Sequence, residues 1–295
     1  NGMSAEIADV DNDGRAAVYV TNIHEPPYAL GSNMLWKWLP GGRFADVAGP
    51  LGIAQCGWSW GAKFLDLDND GLQDLVVTNG YISADPKRDY WYESGLMSAA
   101  AGPVVQDARN WPPMRDASLG GYQKKCVYLN TGWRFEDVAG RTGWADDRSD
   151  GRGLAAIDAM NDGSLSVIEA NEGQPLRFYR NEQRDLDRAW LGFKLVGTRS
   201  NRNAFGARVQ VRLKGKTLSR EVQPANGFMA QSDGRLHFGL GREPAFEEAV
   251  IRWPSGTIQR LTGLALNRYH AVEEPAARDP KPVARRVKNP WRRAR

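Results

Sequence analysis

Cysteine and histidine are both scarce, with two and three copies among 295 residues. Cys56 and Cys126 stand alone, with no C-x-x-C, C-x-x-C-H or Cys/His cluster, so nothing points to zinc or covalent haem. The two thiols could form one disulfide in an oxidising compartment or remain as two buried apolar residues. Of the histidines, His237 sits in Leu236-His237-Phe238-Gly239 and reads as a packed or hydrogen-bonded strand residue. His24 precedes Glu25-Pro26-Pro27 in a loop, and His270 reads as a surface residue. No nucleophile elbow, P-loop, G-x-G-x-x-G or H-E-x-x-H is present, and Ser255 in Trp-Pro-Ser-Gly reads as a turn serine. An apolar run of about 18 residues, the length needed to cross a bilayer as a helix, is also missing. The chain opens on Asn1-Gly2-Met3 without a visible signal peptide, which we read as a mature fragment or one part of a longer protein.

Glycine and proline, by contrast, are plentiful (32 and 16) and spread along the chain, which suits many short strands joined by turns. The net charge of +4 is misleading. Residues 275–295 carry eight Lys or Arg against Asp279 alone, a net of +7, so the remainder carries 4 − 7 = −3. The basic character therefore belongs to a Pro-rich tail that could meet nucleic acid, an anionic lipid surface or an acidic partner, or simply be solvated. Nothing else resembles a nucleic-acid module.

An internal repeat organises the first part of the chain. Arg43-Phe44-Ala45-Asp46-Val47-Ala48-Gly49 recurs as Arg134-Phe135-Glu136-Asp137-Val138-Ala139-Gly140, each copy preceded by a strand pattern and followed by a Gly-rich stretch and an acidic loop. Cys56 and Cys126 lie near equivalent edges of the repeat. Acidic loops begin at Asp9, Asp66 and Asp158, and an insertion of about residues 82–121, rich in aromatics, separates the last two. Repeats of about 50–60 residues built from short strands suggest propeller blades over 1–185. Three blades cannot close a ring, so the missing ones must come from absent sequence, another chain or an unusual open arrangement. From 186 to 274 the acidic loops stop, and alternating strands predict a smaller antiparallel β domain. The expected fold class is all-β, a partial propeller followed by a small β domain.

In the loop Asp66-Leu67-Asp68-Asn69-Asp70-Gly71-Leu72-Gln73-Asp74, Asp occupies positions 1, 3, 5 and 9, and Gly stands at position 6. Alternate carboxylates in a tight loop converge, and their mutual repulsion calls for a cation or for raised pKa values. An all-oxygen donor set favours Ca²⁺ over Zn²⁺, with the Leu72 carbonyl as a further ligand. An EF-hand would need Glu at position 12, where Val77 stands, and flanking helices where strands are predicted. The front loop keeps Asp9, Asp11 and Asp13, with the Arg15 carbonyl at position 7, but Ala17 replaces the fourth carboxylate. The third loop keeps only Asp158 and Asp162, with Met160 and Ser166 in the other places, and is expected to be empty.

These loops resemble the FG-GAP (integrin-α-like, VCBS) repeat, whose signature is D-x-D-x-D-G-x-x-D after a strand. Asn201 to Val209, Asn226-Gly227-Phe228, Ser232 to Gly241 and Arg252-Trp253-Pro254-Ser255-Gly256 together resemble the ASPIC/UnbV domain. The combination is similar to bacterial relatives of cartilage acidic protein. The resemblance implies a secreted or periplasmic calcium-binding propeller, in a family associated with adhesion and matrix interaction. The functional expectation is a calcium-stabilised binding or scaffold protein within a larger extracytoplasmic assembly, without catalysis. The alternative is a propeller enzyme acting on an extracellular polymer, with the insertion over a central pocket.

Overall fold

The computed structural model describes residues 2–99, 106–182, 187–225, 227–242 and 244–276. Most of the basic tail thus lies outside the described residues.

Short strands form between glycine turns: some alternate apolar and polar residues, as Arg208–Leu213 does, while others, such as Asp74–Asn79, are rich in apolar and β-branched residues and buried throughout. The first sheet runs β1 (Ala5–Ala8), β2 (Ala17–Val20), β5 (Met34–Leu39) and β6 (Arg43–Asp46), with the small hairpin β3 (His24–Glu25) and β4 (Ala29–Leu30) between β2 and β5. The second sheet has the order β12-β11-β8-β7, from β7 (Ser59–Leu65), β8 (Asp74–Asn79), β11 (Cys126–Asn130) and β12 (Phe135–Asp137). Between β8 and β11 the insertion supplies β9 (Asp85–Asp89), the helix Trp91–Ala99 and β10 (Ala117–Ser118). The third sheet is β13 (Gly151–Ile157), β14 (Ser166–Asn171) and β15 (Arg177–Tyr179). Each carboxylate loop joins the first two strands of its sheet.

Apolar side chains cement neighbouring sheets face to face. Tyr19 and Leu35 of the first sheet meet Phe64, Leu75 and Tyr128 of the second. On the other face of the second sheet, Val76 and Val127 meet Leu154 and Val167 of the third. The cysteines are paired: a Cys56–Cys126 disulfide ties the segment before β7 to the start of β11.

The C-terminal part comprises β16 (Arg188–Val196), β17 (Arg208–Leu213), β18 (Lys216–Glu221), β19 (Leu236–Arg242), β20 (Phe246–Arg252), β21 (Ile258–Leu261) and β22 (Arg268–Glu273). They form two sheets, β19-β16-β22 and β18-β17-β20-β21, packed over a shared core of Leu191, Phe193, Val211, Phe238 and Ile251. Pairing is antiparallel except between β16 and β22, which run parallel. The three blades and these two sheets surround one axis. A cavity of about 410 Å³ there is lined by residues of β1, β7, β13, β18 and β19. The ring is therefore completed within this sequence, by the two sheets of the C-terminal domain.

The insertion packs against the other end of the inner strands. Trp91 and Leu119 bury against Ile23, with Trp58 and Tyr81 alongside, and Trp91 stacks on Tyr28 with ring centroids 5.6 Å apart. Tyr92 and Trp111 remain exposed, so the insertion's aromatics divide between packing and surface. None of its described residues lines the axial cavity. Among the described residues no helix is long and apolar enough to cross a membrane.

Candidate metal centre

The three loops share one backbone design. The first Asp accepts from the amides that follow the turn. Asp66 takes Asp70 N at 3.1 Å on Oδ1 and Gly71 N at 2.9 Å on Oδ2. Asp158 takes Asp162 N at 3.1 Å and Gly163 N at 2.8 Å in the same way, and Asp9 Oδ2 takes Gly14 N at 3.0 Å. Gly14, Gly71 and Gly163 all have φ between 84° and 93°, a left-handed backbone that glycine adopts without strain. All three loops also share a position-5 Asp that accepts the position-7 amide, so their common shape does not require the carboxylates at positions 3 and 9.

In the second loop Asp66, Asp68 and Asp74 each offer an oxygen within 4.8 Å of the others, with Asp66 and Asp74 buried. Burial pushes the Asp66 carboxyl from its ordinary 3.8 up to about 7, opposed by Arg220 and reinforced by Asp70 and Asp68. Burial, with Asp66 next, holds Asp74 well above the usual range. Asp74 also accepts Leu67 N and Asn130 N, both at 2.8 Å, so β8 and β11 fix it. Asp70 lies outside the close set: its Oδ1 accepts Leu72 N at 2.7 Å, which is also how Leu72 enters the loop.

The front loop gathers Asp9, Asp11 and Asp13 within the same limit. Asp9 is buried, its Oδ1 has no hydrogen-bond partner, and burial raises its pKa from 3.8 to about 6. Arg15 enters through its amide, which donates to Asp13 Oδ1 at 2.7 Å, and Lys37 pairs with Asp11. Asp158 of the third loop instead accepts the Tyr269 hydroxyl at 2.9 Å on Oδ2. Oxygen-only donors, buried carboxylates with raised pKa values and the orphaned Asp9 Oδ1 fit a hard divalent cation in the first two loops. Asp66, Asp68 and Asp74 would hold it in one, and Asp9, Asp11 and Asp13 in the other.

Sequence reasoning treated the loops as isolated clasps and missed what surrounds them. Gly239 N of β19 donates to Asp66 Oδ2 at 3.0 Å, and Gly241 N donates to Asn69 O at 2.8 Å. Arg188 pairs with Asp68 at 2.7 Å, and Arg220 donates to Gly71 O at 3.1 Å. His237 Nε2 faces Asn69 Oδ1 at 2.6 Å, and burial lowers its pKa to about 3, so it is a neutral packed strand residue. His24 Nδ1 contacts Gly31 O within its hairpin, and His270 Nε2 contacts Ala265 O. A usable signal for these contacts was Gly239 in Phe238-Gly239-Leu240-Gly241, whose missing Cβ lets the loop approach.

Two family models match the chain. An FG-GAP-like repeat matches residues 9–77, from the first loop through the strand after the second. ASPIC and UnbV matches residues 197–279, most of the two-sheet domain. No curated protein matches it. The chain is an FG-GAP-like repeat protein with a C-terminal ASPIC and UnbV domain.

Proposed function

We propose that the protein is a calcium-stabilised extracytoplasmic binding or scaffold protein, a component of a larger assembly. The observation that carries the reading is the set of Asp66, Asp68 and Asp74, the first and last of them buried, at a junction of sheets. Its ionised form is costly without a counter-ion, and a divalent cation bound only by the folded chain stabilises that chain. In a complete site the carbonyls of Leu72 and Arg15 and the carboxylate of Asp70 would add ligands. The Cys56–Cys126 disulfide supports a secreted or periplasmic setting. Exposed Tyr92, Leu96 and Trp111 on the insertion suit contact with a protein partner. The tail of residues 275–295 adds a basic segment for an anionic surface. Isothermal titration of the metal-stripped protein with Ca²⁺ tests the reading. Saturable binding lost in Asp66→Asn supports it, and absence of binding overturns it.

One observation favours the second reading, an enzyme acting on an extracellular polymer: the axial cavity is lined by Glu6, Lys63, Arg220 and His237. Its charged groups are largely spent on each other and on the loops, however. Lys63 pairs with Glu6 at 2.6 Å, and Arg220 is directed at Gly71 O. His237 is held neutral. We propose binding, and not catalysis, as the function.

A further inference from the structure

The fourth position of every loop is Asn: Asn12, Asn69 and Asn161. It persists in the third loop, where Met160 and Ser166 have replaced two carboxylates, so its role is separate from metal ligation. All three have left-handed φ values of 56°, 60° and 55°, which Asn tolerates better than most residues. That backbone sends each side chain out of its own loop. Asn12 Nδ2 donates to Gly71 O at 3.1 Å in the next loop, and Asn69 Nδ2 donates to Gly163 O at 3.0 Å in the one after. Position 4 of one blade thus engages position 6 of the next.

The series leaves two open ends, the Asn161 side chain and the Gly14 carbonyl. Both are met by arginines of the ASPIC and UnbV domain. Arg235 Nη1 reaches Asn161 Oδ1 at 2.5 Å, and its Nη2 donates to Asp158 O at 3.1 Å. Arg208 Nη2 donates to Gly14 O at 2.7 Å, in the place a preceding loop's Asn would take. Neither guanidinium is loose. Arg208 Nε is held by Ser219 Oγ at 2.6 Å, and Arg235 by Asp233 Oδ2 at 2.6 Å with its carbon 3.9 Å from the Tyr269 ring centroid. A planar fork on a long stem can span a gap wider than blade-to-blade spacing while making two bonds.

We propose that Arg208 and Arg235 of the ring-closing ASPIC and UnbV domain continue the asparagine relay across the two junctions where blades would otherwise follow. The surface the domain recognises is the polar loop end of an open blade array, and its partner is the propeller of its own chain. The relay uses no carboxylate oxygen as a metal ligand, so it stands apart from the calcium reading.

Hydrogen exchange on the full chain in EGTA tests this. In Arg208→Ala/Arg235→Ala, the junction amides of Leu154 and Asp233, which donate to Gly227 O and Ala156 O, should exchange at least tenfold faster. The amide of Val211, in the domain's own core strand, should stay protected. Arg212→Ala, which loses only a pairing with Glu248, is the control. Should the double variant prove too unstable to purify, Arg235→Lys, which keeps the charge but lacks the fork, reads the same amides. Urea midpoints for Asn161→Ala, Arg235→Ala and their combination add a cycle, in which the combined loss should fall short of the sum. Junction protection equal to that of the Arg212→Ala control, a uniform loss that includes Val211, or strictly additive midpoints would each overturn the proposal.

Discussion

Asp68 and Asp162 show how two aspartates in equivalent-looking loops can differ in worth. Asp68 belongs to the close carboxylate set and pairs with Arg188, whereas Asp162 Oδ1 only accepts Ser164 N at 3.0 Å near the surface. Asp68→Ala should therefore lower the thermal midpoint in calcium clearly more than Asp162→Ala; equal losses in melting experiments would contradict the ranking. Glu274 gives a sharper test of a single group. Burial alone would raise its pKa. The amide of Ser200, the Ser255 hydroxyl and the amides of Arg199 and Thr198 instead pull it from 4.5 down to about 2. Ser255 is thus a turn serine serving a buried carboxylate, as its sequence context suggests. Because the folded pKa is depressed, the stabilisation is present above about pH 4.5 and is lost as the pH falls towards 2. Glu274→Gln should lower stability at neutral pH and flatten that acid limb in urea titrations between these limits. An unchanged slope would show that the carboxylate is not the group responsible.

At the level of elements, the strands and the carboxylate loops were legible because period-two patterns and alternating Asp with Gly are local signals. The partner of each loop was not, because contacts such as Gly239 with Asp66 join residues far apart in sequence. A Cβ on Gly239 would lie 2.2 Å from Asp66 Oδ2 and 2.4 Å from Asn69 Cα, so backbone would have to move. Gly239→Ala should destabilise by about 1–3 kcal/mol, the usual range for overpacking, with reduced calcium affinity if the loop shifts. Wild-type stability and affinity in that variant would mean that β19 merely rests on the loop. The disulfide could not be decided from two cysteines alone, since pairing depends on how Cys56 and Cys126 are brought across the second sheet. It closes a separation of 70 residues, and the chain-entropy model assigns such a loop about 4 kcal/mol. Cys56→Ser/Cys126→Ser should lose a comparable amount in denaturant titrations. A loss well below about 1 kcal/mol would place the benefit outside chain entropy.

For the whole molecule, counting blades left a ring unfilled, because sheet order around an axis is not written in any one segment. The two-sheet domain was visible as a separate pattern, but its place in the ring came from side chains such as Arg208 and Arg235, which look like ordinary surface charge in a list. The same arrangement sets how the fold should respond to calcium and pH together. With no cation bound, burial raises Asp66 from 3.8 to about 7 and Asp9 from 3.8 to about 6. The folded chain then holds these protons more tightly than the unfolded chain, so its stability falls as the pH rises from about 4 to 7. A bound divalent cation stabilises the ionised carboxylates and offsets that loss. The gap between calcium and EGTA in urea midpoint should accordingly be small at pH 5 and widen by pH 7.5. Asp66→Asn, which cannot ionise, should narrow the gap and remove much of its pH dependence. A gap that is constant across this range would place cation binding elsewhere than in these loops. A melting curve indifferent to EGTA at every pH would remove the metal from the account and leave the interlocked loops and the disulfide as the clasps of the ring.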